Sequence, residues 1–167
     1  LIEFVPKMSI TLDRNLVMNV YVPTESLVKF TFNGIEYSNL SELSEKIVTV
    51  DGKDYYLMTV ELPAAEAARN VVLKVNITVD GNSYSGTFTM SVLKYAEKII
   101  ASGNDVEVTL VKDVLSYIRA AYAYFDKEDA EAIAKIDTLL GENYDTNNAP
   151  ALSGSAVEPT EGLSGAT

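Results

Sequence analysis

From Met8 to Val92 apolar residues recur at every second position. Met8, Ile10 and Leu12 share one side of the first run. Leu16, Met18, Val20 and Val22 do so in the second, and Val28, Phe30 and Phe32 in the third. The alternation continues through Tyr56, Met58, Val60 and Leu62, then Leu73, Val75, Ile77 and Val79, then Phe88, Met90 and Val92. Successive side chains of a strand point to opposite faces of its sheet, so each run predicts a strand with one apolar and one polar face. Antiparallel sheets with one face on a core and the other in solvent have this pattern. Asn33-Gly34, Asp51-Gly52 and Asp80-Gly81 each separate two such runs. These pairs tolerate the positive φ that tight hairpin turns require.

Pro63 ends one strand, and Ala64 to Arg69 predicts a helical turn or two that joins two sheets. Seven or eight short strands in about ninety residues predict an antiparallel, Ig-like β-sandwich. The Cys and Trp that mark antibody-type domains are absent, so the expectation concerns the broad architecture.

After residue 92 the period changes. Tyr95, Ala96, Ile99 and Ile100 recur at helical spacing in Leu93 to Ser102, and Gly103-Asn104-Asp105 breaks the pattern. From Glu107, residues Val111, Val114, Leu115, Ile118, Ala121, Tyr122 and Phe125 form one stripe. Asp126 is the expected cap of the next helix, with Glu128 and Asp129 in its first turn. That helix is expected to bury Ala130, Ile133, Ala134, Ile136, Leu139 and Leu140 and to end at Gly141 in the C′ position. So short a connection predicts an antiparallel helical hairpin. Its stripe is too wide for one partner helix, so it must also cover a sandwich face or edge, or a neighbouring module. The expected organisation is a sandwich over residues 1–92, a helical segment packed on it over 93–142, and a linker-like tail over 143–167. The tail from Asn147 to Thr167 has no Lys or Arg and is rich in Ala, Ser, Gly and Pro.

The segment "KYAEKIIASG" followed by "VEVTLVKDVLSYIRAAYAYFDKEDAEAIAKIDTLLGENYD" resembles part of very large, multi-modular secreted or surface proteins of anaerobic gut Firmicutes. The resemblance covers Leu93 to Asp145, with weaker similarity upstream. It implies an extracellular or cell-surface location and neighbouring modules of the same polypeptide as partners. It carries no catalytic residues over. A start at "LIEFVPKMS", without an initiator Met or a signal-peptide pattern, is read as that of a fragment or mature piece.

Charge narrows the partners. The net charge is −11, with −3 in residues 1–100 and −8 in 101–167. Such a chain repels a phosphate backbone and anionic lipid, so neither nucleic acid nor membrane insertion is expected. Without Cys or His, thiolate chemistry and the commonest general base and metal ligand are excluded.

What chemistry remains has ordinary competitors. Ser91 and Lys94 match the Ser-x-x-Lys of serine acylases, but no companion motif follows, and a strand running into a helix explains them. Asp51 with Asp54, and Glu128 with Asp129, pair carboxylates as glycosidases do, yet turns and caps account for both. Glu142, Asp145 and Asn147, with Asn148 nearby, are a weak Ca²⁺ candidate without EF-hand spacing. No cofactor is expected. Of the ten tyrosines, Tyr37, Tyr55, Tyr84, Tyr122, Tyr124 and Tyr144 are expected to reach the surface. All of these except Tyr122 are the candidate ligand-binding residues, since aromatic faces stack on sugar rings. Lys74, Asn76 and Thr78 are expected beside Thr87, Thr89 and Ser91 on an outward polar face.

The leading expectation is a non-catalytic structural or adhesion-type module of a larger bacterial protein. A carbohydrate-binding module using surface tyrosines is the first alternative. A module that binds a surface protein through the helical hairpin is the second.

Overall fold

The computed structural model describes residues 3–12, 14–125, 129–141, 152–153 and 163–166. The protein is mainly antiparallel β, with helices after the strands. Its first eight strands are β1 (Lys7–Leu12), β2 (Leu16–Pro23), β3 (Leu27–Phe32), β4 (Ile35–Tyr37), β5 (Ile47–Val50), β6 (Lys53–Leu62), β7 (Val71–Val79) and β8 (Asn82–Met90). They form two sheets of four, in the orders β5-β6-β2-β1 and β8-β7-β3-β4. Each hairpin stays within one sheet, and the chain changes sheet between β2 and β3, β4 and β5, and β6 and β7.

The alternation that predicts the strands also fills the core. Along β2, Leu16, Met18, Val20 and Val22 are buried while Val17, Asn19, Tyr21 and Pro23 are half-buried. Phe30, Phe32, Leu73, Val75, Ile77 and Phe88 are buried in the other sheet, in the same cluster as β1, β2 and β6. Val28 departs from the pattern. The register of β3 on β7 shifts between Leu27 and Lys29, and Val28 is exposed instead of sharing the inner face with Phe30. The hairpin turns are built as expected. Asn33, Asp51 and Asp80 lie at φ of 53°, 51° and 51°, each followed by a glycine near +80°. Two successive left-handed residues give the turn whose twist matches its strands.

Short 3-10 turns over Leu40–Lys46 and Ala64–Glu66 make two of the sheet-to-sheet crossings. Three helices follow: α1 (Val92–Ser102), α2 (Asp105–Tyr124) and α3 (Ala130–Leu140). They contact one another, α1 touches β1, and α2 reaches the Ala64–Glu66 turn. Tyr95, Ile99, Val111, Leu115, Ile118, Tyr122 and Ile136 are buried in one cluster with the sandwich residues. Helices and sheets therefore share a core.

Local details correct the expected helix ends. α2 begins two residues before Glu107, because Asn104 and Glu107 cap it reciprocally. The Glu107 amide donates to Asn104 Oδ1 at 2.9 Å, and the Asn104 amide donates to Glu107 Oε1 at 3.2 Å. Asp129 caps α3 by accepting from the Ala132 amide at 3.1 Å, the role expected of Asp126, which lies outside the described residues with Glu128. Starting α3 there buries Ala132, Ile136 and Leu140, half-buries Ile133 and Leu139, and leaves Ala130 and Ala134 exposed. Gly141 closes it at φ 74°, as its C′ position predicts.

Two stretches of the segment read as linker pair with the sheets. β9 (Leu152–Ser153) lies antiparallel on β1, and β10 (Leu163–Ala166) lies antiparallel on β8. Composition alone reads as linker there, but an open sheet edge recruits backbone groups and tolerates almost any side chain.

Candidate functional site

Among the described residues, the candidate tyrosines do not gather on one face. Tyr37 is half-buried and stacks on Phe30, ring centroids 5.1 Å apart, so it extends the inner layer at the edge of its sheet. Tyr84 is half-buried and packs against the core, opposite Ile77. Tyr55 is a correction, being only 3% exposed. It meets Tyr21 edge-on, with centroids 6.1 Å apart and planes at 87°, and its polar-face position is covered. Tyr122 is likewise buried, its hydroxyl accepting from the Ala68 amide at 3.2 Å. Tyr124 is 83% exposed at the end of α2. Tyr144 lies outside the described residues, as do Glu142, Asp145, Asn147 and Asn148.

A cleft of about 700 Å³ opens at one end of the sandwich. It lies among the N-terminal residues Glu3–Val5, the β2–β3 loop and the Asp51–Asp54 hairpin, with Lys7 and Tyr55 in its wall. Its loop rim is tied down. The Thr24 amide donates to the Asp54 carbonyl at 3.1 Å, and the Thr78 amide donates to the carbonyl of Ser26 at 3.0 Å. Ser26 holds a left-handed φ of 65° there. Asp54 also accepts from the Thr49 hydroxyl through Oδ1, and Asp51 is the first left-handed residue of its turn. The Asp54 carboxylate and the Asp51 backbone thus serve the hairpin. The helices are at the other end of the strands, where α1 follows the end of β8 and α2 meets the Ala64–Glu66 turn.

On the outer face of the β5-β6-β2-β1 sheet, Asn19 donates to Thr11 Oγ1 at 3.1 Å and to Ser9 Oγ at 3.3 Å. Ser9 is also 3.3 Å from the Tyr21 hydroxyl. Ser9 is buried, and these contacts satisfy it. The sequence carried a signal for this group, polar residues facing each other at register pair Ser9–Asn19, but not for its cover. Tyr95 of α1 is buried nearby. Burial, with Glu107 and Tyr21 adding to it, pushes its phenol well above the ordinary value.

The outer face of the other sheet is polar and solvated. Lys74 stands opposite Thr87, Asn76 opposite Ser85 and Thr78 opposite Ser83, and all six are exposed. Thr89 stands opposite Val72. Ser91 does not join this face. It is buried and caps α1, its Oγ accepting from the Lys94 amide at 3.1 Å. That contact accounts for the Ser-x-x-Lys spacing, since a cap and the third residue of its helix are joined this way.

Tyr124 and Phe125, 83% and 59% exposed, meet edge-to-face with centroids 4.9 Å apart. The helical stripe predicts a buried Phe125. The helix ends before that position, and Phe125 turns outward. Among the described residues no three Asp or Glu side chains gather to hold a metal ion, and no helix is long and apolar enough to cross a membrane. Compared with family models, curated proteins and solved structures, the chain matches none.

Proposed function

We propose that the chain is a non-catalytic, structural or adhesion-type module of a larger extracellular or cell-surface protein, built on an Ig-like sandwich. The strand orders β5-β6-β2-β1 and β8-β7-β3-β4, with three changes of sheet, support the Ig-like reading. The observation that carries the functional reading is the use made of the polar groups nominated for chemistry. Ser91 and Asp129 cap helices, and Asp54 braces a hairpin. A shared core of sheets and helices fits a module that holds its shape under load. Antibodies against the purified chain test the location. They are expected to label intact cells of the source organism, and labelling only after lysis would sink the extracellular reading.

A second reading, protein binding, is favoured by the Tyr124–Phe125 pair, since exposed adjacent aromatics are enriched at interfaces. Carbohydrate binding draws less support, because the candidate tyrosines among the described residues lie on different layers. A screen of the 167-residue chain against glycans and insoluble polysaccharides tests it. Binding abolished by a substitution in the Asp51–Asp54 hairpin would replace the structural reading with a carbohydrate-binding one.

A further inference from the structure

We propose that the edge of β8 is a strand-acceptor site that takes the Leu163–Ala166 segment of a second copy of this chain in exchange for its own. The chain itself shows what the edge accepts. Leu163 stands opposite Gly86 and Ser164 opposite Ser85, antiparallel, and the register slips before Ala166 meets Tyr84. An identical segment from another copy makes identical contacts, so exchange needs no new complementarity.

Three features make the resident segment replaceable. It is four residues long on a nine-residue strand. It contains Ser, Gly and Ala, which have little preference for strands. The slip between Ser164 and Ala166 interrupts an already short ladder. The edge itself is firmly built. β8 pairs along its whole length with β7, from Val71–Met90 to Val79–Asn82, and Phe88 and Met90 are in the core. A strong acceptor holding a weak donor is the arrangement from which strands exchange.

Gly86 marks where the pairing begins. Met90, Phe88, Gly86 and Tyr84 alternate on the inner side of β8, and Gly86 alone has no side chain to place there. The resident segment begins its pairing at this position, residue 163 opposite Gly86. The far edge of the sheet is less suitable. β4 is only three residues long, and its Glu36 pairs with Lys29 of β3.

The chain has no cysteine, so the test can be made with introduced ones. Ser85→Cys and Ser164→Cys together place two thiols at one register pair within a chain. That double variant is expected to close an internal disulfide and remain monomeric. The two single variants, mixed at high concentration and then oxidised, are expected to give a covalent dimer. Its yield should be several-fold above that of a control mixture of Ser164→Cys with Ser38→Cys, which lies just after β4 on the opposite edge. Circular dichroism of each variant establishes that it is folded. A mixture that links no better than the control overturns the exchange. A folded double variant that stays reduced in its own chain overturns the acceptor site itself.

Discussion

The hydroxyl of Tyr122, near the end of α2, accepts a hydrogen bond from the amide of Ala68, in the connection between β6 and β7. The ring is buried, and Ala67 beside the donor is fully buried. This contact fastens the helices to the loop that carries the chain from one sheet to the other. Tyr122→Phe keeps the ring and strands the donor. The expected loss is about 1–2 kcal/mol in urea unfolding, the usual cost of an unpaired, partly buried amide. A loss near zero would mean that water replaces the hydroxyl freely.

The same phenol, and that of Tyr95, make the fold sensitive to alkali. Burial is the main cause in both, and it disfavours the phenolate. Glu107 and Tyr21 add to it at Tyr95. At Tyr122 the Ala68 bond opposes it, while Asp129 and Glu66 raise the pKa further. Both folded values lie above the unfolded value of 10.0. Above that pH the unfolded chain releases protons that the native chain keeps, so stability is fully present below pH 10.0 and falls as pH rises beyond it. Denaturant midpoints measured across this range should decline, and Tyr95→Phe should decline less steeply. A flat profile would contradict the burial of both phenols.

Caps and surface ion pairs should separate cleanly. Asn104→Ala removes the reciprocal cap of α2 and is expected to cost about 1 kcal/mol. Asp137→Ala breaks the 3.0 Å contact with Arg119 Nε, between side chains that are 35% and 55% exposed. Solvent screens that pair, and the expected cost is below about 0.5 kcal/mol. Thermal unfolding of the two variants checks the order. If Asp137→Ala proved the more damaging, the α2–α3 contact would depend on charge rather than on packing.

In the core, Leu16→Ala deletes a fully buried side chain at the start of β2, between the first hairpin and the helical end. The transfer and cavity contributions together predict a loss of about 2–5 kcal/mol. Val28→Ala, on the bulged part of β3, should cost under about 0.5 kcal/mol because Val28 is half exposed. Equal effects would mean that the bulge at Leu27 closes and the alternation read from the sequence holds there after all.

The contrast between Leu16 and Val28 also marks what the sequence could say. Period-two alternation and three Asn-Gly or Asp-Gly pairs locate strands and turns because their physics is local. A bulge is a property of two strands in register, and one strand does not display it. The helix stripe of α2 is legible for the same reason as the strands. Its first two residues lie outside the stripe and are marked instead by the Asn104–Glu107 capping spacing, which is itself a local signal. Tyr55 holds a polar-face position, which reads as exposed until Tyr21 is placed beside it. The tail pairing was illegible, since backbone bonding to an edge leaves no trace in side-chain chemistry. The cleft lies between loops distant in sequence, and no motif announces it.

A module that holds its shape requires the helices to belong to the sandwich, and not to move on it. Unfolding followed by two signals tests this directly. Far-ultraviolet circular dichroism at the helical band reports α1 to α3. Fluorescence of a single tryptophan at Phe30, in a chain that has no other tryptophan, reports the space between the sheets. The account predicts coincident transitions with one midpoint and one slope. Helical signal lost at lower denaturant, with the sandwich signal intact, would contradict it and make the helices a separable arm.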